Sequence, residues 1–166
     1  METDSIKKFI LQIPFFKVFT DHELNKLIGR EKVFRDAKKG SYIFEEGDPG
    51  SAIFVLLFGE IDLIKKSEGG TESIILKLKT GALFGEVAML TGNKRNVAAR
   101  AASTKVVVME FTRKLIDKMI PSVQNKFQKQ LLFIIAKNLD TMNMRYAKLE
   151  SSIEVREKLA AGGAIK

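Results

Sequence analysis

Phe84-Gly85-Glu86-Val87-Ala88-Met89-Leu90-Thr91-Gly92-Asn93-Lys94-Arg95-Asn96-Val97-Ala98 lies between two strand-like runs. Its residue types suit an anion joined to a sugar. Gly85 lets the backbone approach a ligand closely. The short segment after it can turn free N–H groups toward an anion. Glu86 can accept from a sugar hydroxyl. Arg95 offers a planar fork of donors for phosphate oxygens. An internal Glu86–Arg95 ion pair closing a loop is the plain structural alternative. Such pairs contribute little to stability when exposed and are weak evidence for it when buried. The glycines and small residues around both favour a ligand.

Outward from this stretch, glycines at 40, 47, 50, 59, 69, 70, 81 and 92 punctuate β-rich runs at intervals of roughly ten residues, a pattern of sandwiches, jelly rolls and barrels. The runs include Ala52–Phe58, Ile61–Ile64, Ser73–Leu78, Val97–Ala102 and Val106–Phe111. Gly69-Gly70 reads as a hairpin turn. Before this region, to about residue 30, the chain reads as short helices interrupted by Pro14, with Thr20 or Asp21 capping the second. After it, Thr112 caps a short helix, Pro121 breaks the pattern, and a long helix runs from about Ser122 to Lys158. The expected organisation is therefore a helical segment over 1–30, β structure over 31–111, helices over 112–158 and a flexible tail over 159–166, forming one domain.

On the long helix, Leu132, Ile135, Leu139, Met142, Tyr146, Leu149 and Ile153 alternate spacings of three and four, as in a heptad seam. Leu132 to Leu139 are expected to pack along the β structure. Tyr146, Leu149 and Ile153 are suited to a second copy of the chain.

The chain has 166 residues and a formal charge of +8. Its basic residues are spread along the whole length, so a solvated surface accounts for the charge without nucleic acid. There are no cysteines and one histidine, which excludes disulfides, thiolate metal sites and multi-histidine metal sites. His22 falls in the first turn of an expected surface helix and carries no role. The same scarcity of metal ligands argues against a hydrolase that activates water. The apolar run from Phe9 to Phe16 is broken by Gln12 and Pro14, so neither a signal peptide nor a membrane span is expected. The default location is cytoplasmic.

Several landmarks recur together in a known order. Ile13–Phe16 precedes Glu23-Leu24; Lys39–Asp48 carries paired glycines; Phe54–Ile61 holds Gly59; Gly81-Ala82-Leu83-Phe84-Gly85-Glu86 opens the quoted stretch and Arg95 closes it. This ordered set resembles the cyclic nucleotide-binding domain family over about residues 10–145. The resemblance implies a mainly β fold with flanking helices. Its centre would be an antiparallel eight-stranded β-roll, jelly-roll-like, with helices before it and a long helix after it.

It further implies a non-catalytic sensor for a cyclic nucleotide that passes binding on through the terminal helix to an effector protein, without cofactor or metal. Gly85 and Ala88 would offer N–H groups to the phosphate, Glu86 would take the ribose 2′-hydroxyl, Arg95 the exocyclic oxygens, and Val87 would line the pocket. Leu63, Ile75, Leu76, Val97 and Ala98 would wall the sugar and base, with Met142, Asn143 or Tyr146 capping the base.

Lys94 stands where the family often has Pro, and Asn96-Val97 where it has two small residues; Asn96 adds a side-chain donor near the phosphate. Many cyclic-GMP binders of the family carry Thr or Ser three residues past the arginine. Ala98 there points to cyclic AMP, with cyclic GMP kept as the alternative. A nucleotide-free interaction module is the second reading. A specific DNA-binding regulator is the third, and the chain after the long helix leaves no room for the separate reader domain it would need.

Overall fold

The computed structural model describes residues 3–29 and 33–162. Helix α1 (Thr3–Ile10) leads through a single 3₁₀ turn at Pro14–Phe16 to α2 (Asp21–Ile28). Of the two expected caps, Thr20 and Asp21, Thr20 caps α2: its hydroxyl accepts from the Glu23 N–H at 3.3 Å, and the Glu23 carboxylate accepts from the Thr20 N–H at 2.8 Å. This reciprocal box satisfies two N–H groups that the start of a helix otherwise leaves over.

Eight strands follow: β1 (Phe34–Lys38), β2 (Tyr42–Phe44), β3 (Ala52–Phe58), β4 (Glu60–Lys66), β5 (Glu72–Lys79), β6 (Leu83–Phe84), β7 (Ala98–Ala101) and β8 (Lys105–Thr112). They form two four-stranded antiparallel sheets in the orders β1-β8-β3-β6 and β2-β7-β4-β5. This is the expected eight-stranded β-roll with flanking helices. β3 is apolar along its whole length and buried from Ala52 to Leu57, as a strand covered on both faces must be. One core cluster joins the sheets through Phe44, Phe54, Leu56, Ile61, Phe84 and Val108.

Helix α3 (Glu86–Thr91) interrupts the β structure between β6 and β7, and α4 (Arg113–Asp117) and α5 (Pro121–Gly162) follow it. The Thr112 hydroxyl caps α4 by accepting from the Leu115 N–H at 3.2 Å. Two compact units result, residues 1–126 and 127–166, the second holding α5 from residue 127 to Gly162. The helix reaches Gly162, so residues 159–162 of the expected tail are helical, and 163–166 lie outside the described residues.

The expected seam is present as a stripe on α5, but its first half differs from expectation. Leu132 and Leu139, expected to be covered, are 66% and 57% exposed. Heptad spacing fixes which side chains share a face; it does not say what surface covers that face.

Candidate functional site

Gly85 sits between β6 and α3 with φ +78°, a conformation that costs any residue with a Cβ. A Cβ there would also fall 2.8 Å from Arg95 Nη1 and 3.3 Å from the rings of Phe44 and Phe54. The glycine is thus required both by its backbone and by the arginine that passes beside it.

Arg95 is 5% exposed. Its Nη1 donates to the Gly85 carbonyl at 2.5 Å and its Nη2 to the Ala52 carbonyl at 2.7 Å. The guanidinium lies 4.2 Å from the centre of the Phe44 ring and 5.7 Å from that of Phe54. Phe44, Phe54 and Phe84 pack on one another with centroids 5.3–6.0 Å apart and form an aromatic floor under the cation. Nε is buried without a hydrogen-bond partner, and no carboxylate among the described residues pairs with this arginine. Burial pulls its pKa below the ordinary value, while the more distant charges of Asp48, Glu110 and Glu86 oppose that shift. An arginine starts so high that it keeps its charge. The result is a buried cation whose neighbours are carbonyl dipoles and ring faces rather than an anion.

Glu86 opens α3 and is half-buried; burial pushes its carboxyl above the usual carboxylate range, and its own backbone N–H and the charge of Arg95 only partly offset this. Ala88 is buried, and a Cβ on Gly50 would lie 2.4 Å from its own Cβ, so α3 rests directly on the β2–β3 loop. Val87 is 51% exposed on the outer side of the short helix. Asn96 is exposed, Val97 half-buried just before β7, and Ala98 buried on β7 opposite Ile64.

Leu63 and Leu76 are register partners on β4 and β5, and both pack against the core cluster. Ile75 does not join them. The register steps from Leu63–Leu76 to Ile64–Ile74, leaving Ile75 as an extra residue, 56% exposed. A bulge of this kind breaks the alternation on which a wall assignment from sequence depends. Met142 and Tyr146 lie on α5 in the second unit, 65% and 64% exposed, with Asn143 exposed between them.

The structure therefore gathers Gly85, Glu86, Ala88 and Arg95 around one short helix. Sequence reading missed the Phe44–Phe54–Phe84 floor, the Ala52 carbonyl and the supporting Gly50. Phe44 and Phe84 end their strands and Phe54 lies within β3, and only the fold brings the three together. Among the described residues no group of three or more His, Cys, Asp or Glu side chains is placed to hold a metal ion, and no helix is long and apolar enough to cross a membrane.

Residues 34–122 match the model of the family described as cyclic nucleotide-binding domain. A cAMP-dependent protein kinase regulatory subunit of Mycosarcoma maydis is 31% identical over 129 residues, covering 69% of this chain and 24% of that protein. The cGMP-dependent protein kinase 2 of Homo sapiens is 25% identical over 95% of this chain and 22% of its own length. This chain thus spans less than a quarter of either relative. Among solved structures, a cyclic nucleotide-binding domain from Methylobacillus flagellatus superposes with a TM-score of 0.69 at 24% identity, over 86% of this chain and 80% of that one, which establishes the likeness of fold.

Proposed function

This chain belongs to the cyclic nucleotide-binding domain family, and we propose from that premise that it is a non-catalytic sensor for a cyclic nucleotide, cyclic AMP in preference to cyclic GMP. The observation that carries the reading is Arg95, a buried cation with no carboxylate partner among the described residues, at the edge of a helix-bearing loop. The cyclic phosphate would supply the missing negative charge. Gly85 and Ala88 would add backbone N–H groups, with Val87 and Asn96 beside them, and Glu86 would hold the ribose. Leu63, Leu76, Val97 and Ala98 would wall the sugar and base. The preference for cyclic AMP rests on Ala98, which has no hydroxyl to offer a guanine. One relative is a cAMP-dependent and another a cGMP-dependent kinase protein, so both nucleotides belong in the test.

Relay of binding is part of the same proposal. The Arg113 guanidinium donates to the Met89 carbonyl of α3, and its backbone N–H donates to the Ser51 carbonyl at 3.1 Å. The start of α4 is thereby joined to α3, the helix of the proposed phosphate-binding cassette, residues 84–96. Movement of residues 84–96 on phosphate capture would shift α4 and then α5, with Met142, Asn143 or Tyr146 closing on the base. Ligand shifts this equilibrium only by its differential affinity for the closed form. The exposed residues Tyr146, Leu149 and Ile153 would pair with a second copy, and an effector protein would read the change. A cytoplasmic location is included in this proposal.

Isothermal titration of the purified chain with cyclic AMP and cyclic GMP tests the reading, with cyclic AMP expected to bind more tightly. Hydrogen exchange over 113–155 tests the relay, since unchanged protection on adding ligand would exclude it. A nucleotide-free interaction module has one observation in its favour: both Nη atoms of Arg95 are already engaged by carbonyls. No heat from either nucleotide, and none co-purified, would establish that reading instead.

A further inference from the structure

We propose that Glu46 and Lys65 form a bracket that fixes the exit of the cassette and thereby positions Arg95 for the nucleotide phosphate. The inference rests on the cyclic-nucleotide reading above.

Three chain segments meet at this point. Lys65, near the end of β4, sends its Nζ to the Asn96 carbonyl at 2.8 Å and to Glu46 Oε1 at 2.5 Å. The other oxygen of Glu46 accepts from the Lys66 N–H at 3.2 Å. Glu46 belongs to the loop between β2 and β3, and the same loop grips Arg95 by its backbone. The Arg95 N–H donates to the Asp48 carbonyl and its own carbonyl accepts from the Gly47 N–H, both at 2.8 Å. Consecutive residues of the cassette exit are thus held at three backbone atoms, two on Arg95 and one on Asn96. The position from which the Arg95 side chain departs is set by this loop and by Lys65.

The bracket is built for placement rather than for folding energy. The Lys65 and Glu46 side chains are 49% and 26% exposed, and ion pairs in such settings add little stability. Their carbonyl bond, however, lies one residue from the phosphate-binding fork. Small displacements of a binding group lose affinity out of proportion to the contact removed. The Glu46 carboxyl is held below the usual carboxylate range, first by Lys65 and then by the Lys66 N–H, so it stays charged around neutral pH and keeps Lys65 in place.

Lys65 could instead act only as a nearby cation that attracts phosphate. The two roles predict opposite signs for Glu46→Gln. A cation freed from its carboxylate would bind the anion more tightly; a bracket that loses its anchor would bind it less tightly. Cyclic AMP affinity and dissociation rate, with thermal midpoints, are to be measured on the full chain and on Glu46→Gln, Lys65→Met, Lys65→Arg and the Glu46→Gln/Lys65→Met pair.

Each single loss is expected to weaken binding by about tenfold, chiefly through faster dissociation. The double variant should be no worse than either single one, because the two residues act as a unit. Lys65→Arg should recover most of the affinity, and the midpoints should stay close to that of the unaltered chain. Tighter or unchanged binding by Glu46→Gln, with the unaltered chain binding normally, overturns the bracket alone. Absence of cyclic-nucleotide binding by the unaltered chain overturns the bracket together with the reading beneath it.

Discussion

Glu23 and Arg95 are both nearly covered by protein, at 8% and 5% exposure, yet their surroundings differ in kind. Glu23 accepts from the Thr20 N–H at 2.8 Å and from Lys126 Nζ at 2.7 Å, an N-cap and an ion pair within the first unit. Those bonds, Lys126 first, hold its carboxyl below the usual carboxylate range against the opposing effect of burial. Arg95 has carbonyls, ring faces and an unpartnered Nε, but no carboxylate partner among the described residues. A charge matched inside the protein serves the fold. A buried charge left unmatched costs the fold something, and its use is sought in a ligand of opposite sign. If the proposed function holds, the two residues separate what holds the unit together from what binds its ligand.

The largest way to break this contrast is Arg95→Ala. Removing one partner of a buried ion pair costs roughly 3–5 kcal/mol, about 10² to 10³-fold or more in affinity. Calorimetry should show cyclic-AMP binding reduced by that factor; near-normal affinity would refute the cassette assignment. Gly50→Ala should come next. Its methyl would press into Ala88, and overpacking of this kind costs about 1–3 kcal/mol. Urea unfolding should show the loss, and affinity should fall with it because α3 is displaced.

Thr20→Ala acts at the other site. Loss of an N-cap costs about 1 kcal/mol, read as a lower urea midpoint, while nucleotide affinity stays unchanged. If affinity falls in parallel, the two sites are coupled and the contrast fails.

The smallest effect is a pH dependence. A carboxyl held lower in the folded state contributes stability that is present above its ordinary value, near 4.5, and is lost as pH falls through the folded value. Unfolding midpoints should therefore decline below about pH 4.5 with a slope that Glu23→Gln reduces. An identical acid profile in the variant would mean that Lys126 adds nothing at Glu23.

Much of the fold was legible because local rules dominate there. Thr20 and Thr112 announce helices by their hydroxyls, and the continuous apolar run of β3 declares a buried strand. Ile75 was not legible, because a bulge between β4 and β5 depends on how two strands meet. Nor was the exposure of Leu132 and Leu139, since an apolar stripe is written in the sequence and its cover is not.

By itself the sequence determined the succession of helical, β and helical regions and the glycine that must precede α3. These follow from backbone freedom, capping and periodicity, all short-range along the chain. The tertiary structure alone decided what surrounds Arg95: the Ala52 carbonyl 43 residues away, the phenylalanine floor from three strands, and the Glu46–Lys65 bracket on Asn96. Electrostatic environment and burial are set by neighbours in space, and in an antiparallel roll those neighbours come from distant parts of the chain.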